Sequence, residues 1–260
     1  MTNQASTSQL KPVFSFPLHD RQSRERFLIG SGLLLSSFIV PIIPGLIVFG
    51  YILRIMRSTA KGEAPTMAAW SDWSSLLNLG FRGTIVNSLF TLPSFVFFLF
   101  GIVAYFGAFF LIPLSSSAET DAGGALLSAV FLAMAVMFMS LALGTLLLML
   151  GLIPLPASLA HFVVKDELSA AFRLREWWPI LSSNRLGYFI SFVIVMGILG
   201  IMYFVVVVMY YTFVLMCLAY FIMIPLSFYA LLVGAALFGD TYREGLASLQ
   251  QDAEANVISA

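Results

Sequence analysis

Uncharged apolar stretches alternate with short polar ones along the chain. Four runs without a charged residue extend over 27–53, 83–114, 122–160 and 186–239. A helix rising 1.5 Å per residue needs about 20 apolar residues to cross a hydrocarbon core of about 30 Å. The second and third runs each supply one crossing, the third continuing past Pro154 and Pro156 as a bent extension. The last run is too long for one crossing and supplies two. Its turn is expected near Tyr210-Tyr211-Thr212, because aromatic residues favour the interface. The pattern therefore predicts an all-α integral membrane protein with four transmembrane helices at about 84–113, 125–153, 187–209 and 213–238.

The first run is different, because "VPIIPG" interrupts it at 40–45. Proline removes a backbone donor and clashes with the preceding helical turn, so this sequence suits a turn better than the middle of a span. Positive charge bears on the same question. Lys11, Arg21, Arg24 and Arg26 precede the run, and Arg54, Arg57, Lys61 and Arg82 follow it. Lys165, Arg173, Arg175 and Arg185 lie between the third and fourth runs, and Arg243 follows the last. The connection over 114–124 and the turn near Tyr211 carry no Lys or Arg. Four crossings place every Lys and Arg on the cytoplasmic side, as the positive-inside rule requires, if the first run returns to the side it left. The expectation is a re-entrant hairpin over 27–57, turning at Pro41, Pro44 and Gly45. A kinked fifth span with an external N-terminus is the alternative.

Two polar connections show helical periodicity. Over 64–78, Met67, Trp70, Trp73 and Leu77 recur opposite Ser71, Asp72 and Ser75. Over 166–178, Leu168, Phe172 and Trp178 share one face while Ser169, Arg173 and Glu176 share another, with Asp166 as N-cap and Pro179 as the stop. Both read as amphipathic helices in the cytoplasmic membrane surface, with Trp70, Trp73, Phe172, Arg173, Trp177 and Trp178 as lipid contacts. A shift of 104 positions pairs Trp73 with Trp177, Leu77 with Leu181 and Gly83 with Gly187, a weak sign of parallel internal repeats. Residues 1–26 read as a cytoplasmic flap, disordered before Leu10, then a single membrane domain over 27–239, then a cytoplasmic tail over 240–260.

Composition supports this picture and narrows the chemistry. With 60% apolar residues, 10% charged residues and a mean hydropathy of +0.97, the chain falls outside the soluble class. The formal net charge of zero and the loop-bound basic residues give no footing for nucleic acid. Cys217 is the single cysteine, and His19 and His161 lack carboxylate or thiol companions at ligand spacing, so neither a metal nor a cofactor is expected. No ionisable residue falls deep in a crossing, which argues against an ion-coupled pump. No hydrolase, metalloprotease or phosphate-loop motif is present, so the chain reads as a non-enzyme. Asn87, Thr91 and Ser94 form a polar intramembrane patch, read first as interhelical hydrogen bonding.

Several short motifs occur in a set order. They are Phe14-Ser15-Phe16-Pro17, Leu28-Ile29-Gly30-Ser31-Gly32, Phe49-Gly50-Tyr51-Ile52-Leu53-Arg54 and Trp70-Ser71-Asp72-Trp73, then Leu168-Ser169-Ala170-Ala171-Phe172 and Gly239-Asp240-Thr241-Tyr242. In this order the chain resembles the multi-pass bacterial and archaeal membrane proteins grouped as domain of unknown function 4013. Ala64-Pro65-Thr66 departs from the Leu-Pro expected closer to the tryptophans. The resemblance implies an integral membrane protein and carries over no functional residue. Two readings follow. One is a scaffold or accessory subunit of the inner membrane that binds lipids, partner membrane proteins or further copies of itself. The other is a small transporter for a lipid or neutral solute, which a cavity lined by Asn87, Thr91 and Ser94 would favour.

Overall fold

The computed structural model describes residues 11–115, 122–211 and 213–259, which are all-helical. In chain order the helices are α1 (Arg21–Ser36), α2 (Ile43–Ala60), α3 (Trp73–Ser115), α4 (Ala122–Leu152), α5 (Leu155–Lys165), α6 (Leu174–Ser183), α7 (Arg185–Tyr210) and α8 (Phe213–Ser259). Short 3-10 turns at Phe16–Leu18 and Leu168–Phe172 join them. The chain divides into two compact units, Met1–Val86 with Pro156–Ala260, and Asn87–Leu155.

In the first unit, Asp20 caps α1 by accepting the Ser23 amide N–H at 2.6 Å, which satisfies a donor that the first turn leaves free. Residues 37–42 then reverse the chain. This corrects the expected turn. Only Pro41 lies in it, whereas Pro44 and Gly45 belong to the start of α2. Proline's missing N–H costs no hydrogen bond in a first helical turn, and its fixed φ is already helical.

Helices α1 and α2 pack on each other and on α8. Helices α2 and α8 run parallel, because Tyr51 faces Phe228 and, further along both, Thr59 meets Gly239. Helix α7 returns antiparallel to α8. Val195 meets Gly234, and the Ser191 and Thr241 hydroxyls are 2.8 Å apart. Helix α7 ends at Tyr210 and Tyr211 follows it as a turn, and Thr212 is outside the described residues. The separate tail expected over 240–260 is instead a continuation of α8, with Thr241 and Tyr242 buried. At the crossing of α2 and α3 the backbones touch. A Cβ on Gly50 would lie 1.9 Å from the Leu76 carbonyl oxygen, and one on Gly80 would lie 1.8 Å from that of Leu46.

Neither expected surface helix has its predicted bounds. Residues 63–69 have no regular structure, and the helix begins only at Trp73. Pro65 disfavours a helical residue before it, and Asp72 has a φ of +58°, so a helix cannot pass through either smoothly. The segment over 166–178 is divided between the turn Leu168–Phe172 and α6, and Pro179 lies inside α6 rather than ending it. It falls early enough in the helix to be tolerated. The 104-residue shift does find one local match. Helix α2 is followed by Gly62 at φ +88°, and α5 by Asp166 at φ +58°.

The second unit is a helical hairpin of residues 87–115 of α3 with α4. Phe90 meets Gly151, Phe98 meets Gly144, and Gly101 meets Ser140, so the two run antiparallel. The connection holding Glu119 and Asp121 is outside the described residues.

Among the described residues, five stretches are long and apolar enough to cross a membrane: Ile43–Ala60, Trp73–Phe110, Leu127–Lys165, Arg185–Tyr210 and Phe221–Ala255. The apolar windows of the first and last are 56% and 50% buried in protein, whereas those of the other three are only 11–17% buried. Apolar surface left uncovered on that scale is at home in lipid, not in water.

Candidate functional site

The polar ends of the helices in the first unit are joined by three groups of side-chain contacts. The first is a strap. Residues 63–72 run back along α2 and are tied down by three hydrogen bonds to main-chain oxygens. Tyr51 Oη donates to Ala68 O at 2.8 Å, Trp70 Nε1 donates to Arg26 O at 2.8 Å, and the Arg26 guanidinium donates to Met67 O. The Trp70 ring stacks on Tyr51 with centroids 3.9 Å apart and lies 5.9 Å from that of Trp73. Trp70, expected at the lipid surface, is therefore half-buried against the strap's own support, while Trp73 is exposed.

The second group centres on Asp166. Its carboxylate pairs with Arg57 at 3.3 Å and Arg82 at 3.0 Å, and Arg82 also donates to the Asp166 carbonyl at 2.5 Å. The Arg82 guanidinium lies 5.1 Å from the centre of the Phe162 ring. Partial burial works to raise the Asp166 pKa, but Arg57 and Arg82 outweigh it and hold the carboxyl below its usual range. Asp166 was expected to cap a helix. Instead, its side chain clamps α2 and α3 to the end of α5.

The third group is a buried network around His161. Its Nδ1 is 2.8 Å from Tyr242 Oη and its Nε2 is 3.0 Å from Glu176 Oε2. Nε2 donates to the carboxylate, and the Tyr242 hydroxyl closes the network at Nδ1. Glu176 also pairs with Arg173 at 3.3 Å, and Arg173 continues to Glu167 and Ser169, each at 3.1 Å. The His161 hydrogen bond, then Arg173, holds the Glu176 carboxyl below its usual range. Nearby, Ser158 Oγ and Trp177 Nε1 both donate to Ala171 O, at 2.8 and 3.0 Å. Trp177, predicted to touch lipid, is completely buried, because α6 turns its Trp177 and Ile180 face inward. Phe172 and Trp178 remain exposed, and Arg173 is ion-paired. A cavity of about 620 Å³ opens beside this network, bounded by Lys165, Arg173, Glu176 and His161 on its polar side.

The polar patch of the second unit turns inward. Thr91 Oγ1 donates to Asn87 O at 3.0 Å and Ser94 Oγ donates to Thr91 O at 2.8 Å, so both hydroxyls are used within their own helix. Ser94 is wholly buried. Among the described residues, no group of three His, Cys, Asp or Glu side chains is placed to hold a metal ion.

Sequence reasoning missed the His161–Glu176–Tyr242 network and the Asp166 clamp. No local signal marks them, since each joins positions distant in the chain; only the spacing of Arg173 and Glu176, one helical turn apart, was visible.

No curated protein and no solved structure matches this chain. A family model described as "Protein of unknown function (DUF4013)" matches residues 33–211, in agreement with the ordered motifs. The match takes in the turn after α1, the strap, the Asp166 clamp and α6, and the chain belongs to this DUF4013 family.

Proposed function

We propose that the chain is a scaffold or accessory subunit of the inner membrane, with both termini cytoplasmic, and that it binds lipids or a partner membrane complex rather than catalysing a reaction. The observation that carries this reading is the turn between α1 and α2. Phe38, Ile39 and Ile42 are 67%, 85% and 67% exposed. The far ends of the same two helices carry Arg21, Arg24 and Arg26, and Arg54, Arg57 and Lys61. An apolar tip between two basic ends has the character of a wedge that enters one leaflet and returns, because the basic ends favour the cytoplasmic surface. Support also comes from polar groups of α2, α3, α5, α6 and α8, which meet in two clusters, Asp166 with Arg57 and Arg82, and His161 with Glu176 and Tyr242. The inward-turned Thr91 and Ser94 favour this reading over a transporter with a polar path along that patch.

Single cysteines in a Cys217→Ser background test the wedge. With an impermeant maleimide on intact cells, Tyr211→Cys is expected to label. Gln22→Cys is expected to label only after the membrane is opened, and Ile39→Cys only after detergent solubilisation. Labelling of Gln22→Cys on intact cells would instead mean that α1 and α2 belong to a full span.

The functional reading is tested by extracting the tagged chain in a lipid-retaining polymer and identifying what accompanies it by mass spectrometry. A stoichiometric protein partner or a retained lipid shell is expected. A chain that comes out alone with one enriched neutral solute would replace this reading with a transporter.

A further inference from the structure

The cavity beside His161 has a mixed lining. It includes the cations Lys165 and Arg173 and the apolar side chains Val164, Ile180 and Leu246. Among the described residues, Lys165 has no ion-pair partner. Arg173 spends three hydrogen bonds on Glu167, Ser169 and Glu176, all at an exposed position. Exposed pairs of this kind contribute little, about 1 kcal/mol or less each, so a better anionic partner can recruit the guanidinium. Glu176 is the one acidic group on the cavity wall, and it is already engaged by His161 and Arg173. The recess, about 620 Å³, is open on one side and has room for a small organic group. The helix that forms one wall, α6, also exposes Leu174 (57%) and Trp178 (52%) next to Phe172 (42%). Exposed tryptophan and leucine beside a basic cavity belong to an amphipathic helix lying at a membrane surface.

We propose that this cavity binds the phosphate of an anionic lipid headgroup, with Lys165 and Arg173 holding the phosphate and Val164, Ile180 and Leu246 contacting the apolar part of the same molecule. Basic recesses among membrane helices on the cytoplasmic side suit this chemistry. The inference rests on the membrane placement proposed above. It adds a defined site to that placement: two cations line one recess together with Val164, Ile180 and Leu246, so the molecule that fits has a phosphate at one end and hydrocarbon at the other. His161 acts as a positioning residue, holding Glu176 and Tyr242 so that the cavity stays open between α5, α6 and α8.

The test is a titration of the purified full chain with phosphatidylglycerol in detergent, followed by native mass spectrometry. Lys165→Gln is expected to weaken binding about fivefold, the loss of one basic contact near a lipid headgroup. Leu246→Trp, which fills the apolar side, is expected to weaken binding with the phosphate-holding groups intact. Lys61→Gln removes an equal charge outside the cavity and is expected to leave binding unchanged. Equal losses in Lys165→Gln and Lys61→Gln, or no loss in Lys165→Gln, would overturn the site. Inorganic phosphate, titrated separately, distinguishes the source. Lysine-dependent binding of phosphate alone makes a soluble phosphate compound the ligand, and its failure to bind makes the lipid the ligand. Carbonate extraction of the same membranes separates this site from the placement it rests on. Loss of lipid binding by a variant that stays in the membrane concerns the cavity, whereas a wild-type chain released by carbonate removes the placement itself.

Discussion

Alanine at Gly50 or Gly80 is expected to destabilise the protein by about 3 kcal/mol or more, at or above the upper end of the usual overpacking cost. Each new methyl would lie within 2 Å of a backbone carbonyl oxygen on the other helix, Leu76 for Gly50 and Leu46 for Gly80. A clash with a flexible side chain can be relieved by a rotamer change, but here the nearest atom is main chain. Relief requires α2 and α3 to separate. That separation would in turn strain the Asp166 clamp, which ties Arg57 on α2 to Arg82 on α3. The measurement is thermal melting of a fluorescent fusion in detergent, followed by size-exclusion retention. Gly197→Ala on α7 is the control, because a Cβ there meets no atom within 4 Å. It should melt at the wild-type temperature or slightly above, since alanine favours a helix by about 0.5–1 kcal/mol over glycine. Wild-type melting of Gly50→Ala and Gly80→Ala would show that the helices do not cross at these positions.

The adjacent tryptophans of α6 provide the second contrast. Trp177→Ala is expected to cost about 3–5 kcal/mol, the range for removing a large buried aromatic. Its ring is fully enclosed and its Nε1 donates to Ala171 O at 3.0 Å, an acceptor shared with Ser158. Trp178→Ala is expected to stay within about 0.5 kcal/mol of wild type in the same melting assay, because its ring is exposed. Equal losses for the two variants would mean that both rings face the same environment, as the sequence pattern alone suggests. A larger loss at Trp178 would reverse the orientation of α6.

These two tests probe different kinds of information. The close approach at Gly50 and Gly80 has a sequence correlate, since both are glycines in apolar helical runs, but nothing in the sequence pairs one with the other. The tryptophans were visible as an aromatic pair near a basic loop, yet periodicity gives a face and not what covers it. On α6 the inward face is covered by α5 and α8, so Trp177 is part of a core while Trp178 is not. The strap shows a similar limit. Met67, Trp70 and Trp73 recur at helical spacing, but Pro65 and the positive φ of Asp72 keep a helix from starting before Trp73, and Tyr51 and Arg26 hold Met67, Ala68 and Trp70 in a strap without regular structure.

By itself, the sequence determined the all-helical apolar architecture, the separation of basic loops from uncharged runs, a helix break at Pro41 and the turn near Tyr211. Each of these follows from local composition, because helix length against bilayer thickness, proline geometry and charge placement are properties of contiguous residues. Only the tertiary structure decided that α2 packs parallel to α8 and that Asp166 joins two arginines from separate helices. It also decided that His161 meets Glu176 and Tyr242 beside a cavity lined by Lys165, Arg173 and apolar side chains. The physical reason is separation along the chain. Asp166 and Arg82 stand 84 residues apart and His161 and Tyr242 81, and no local pattern specifies which distant helix covers a given face.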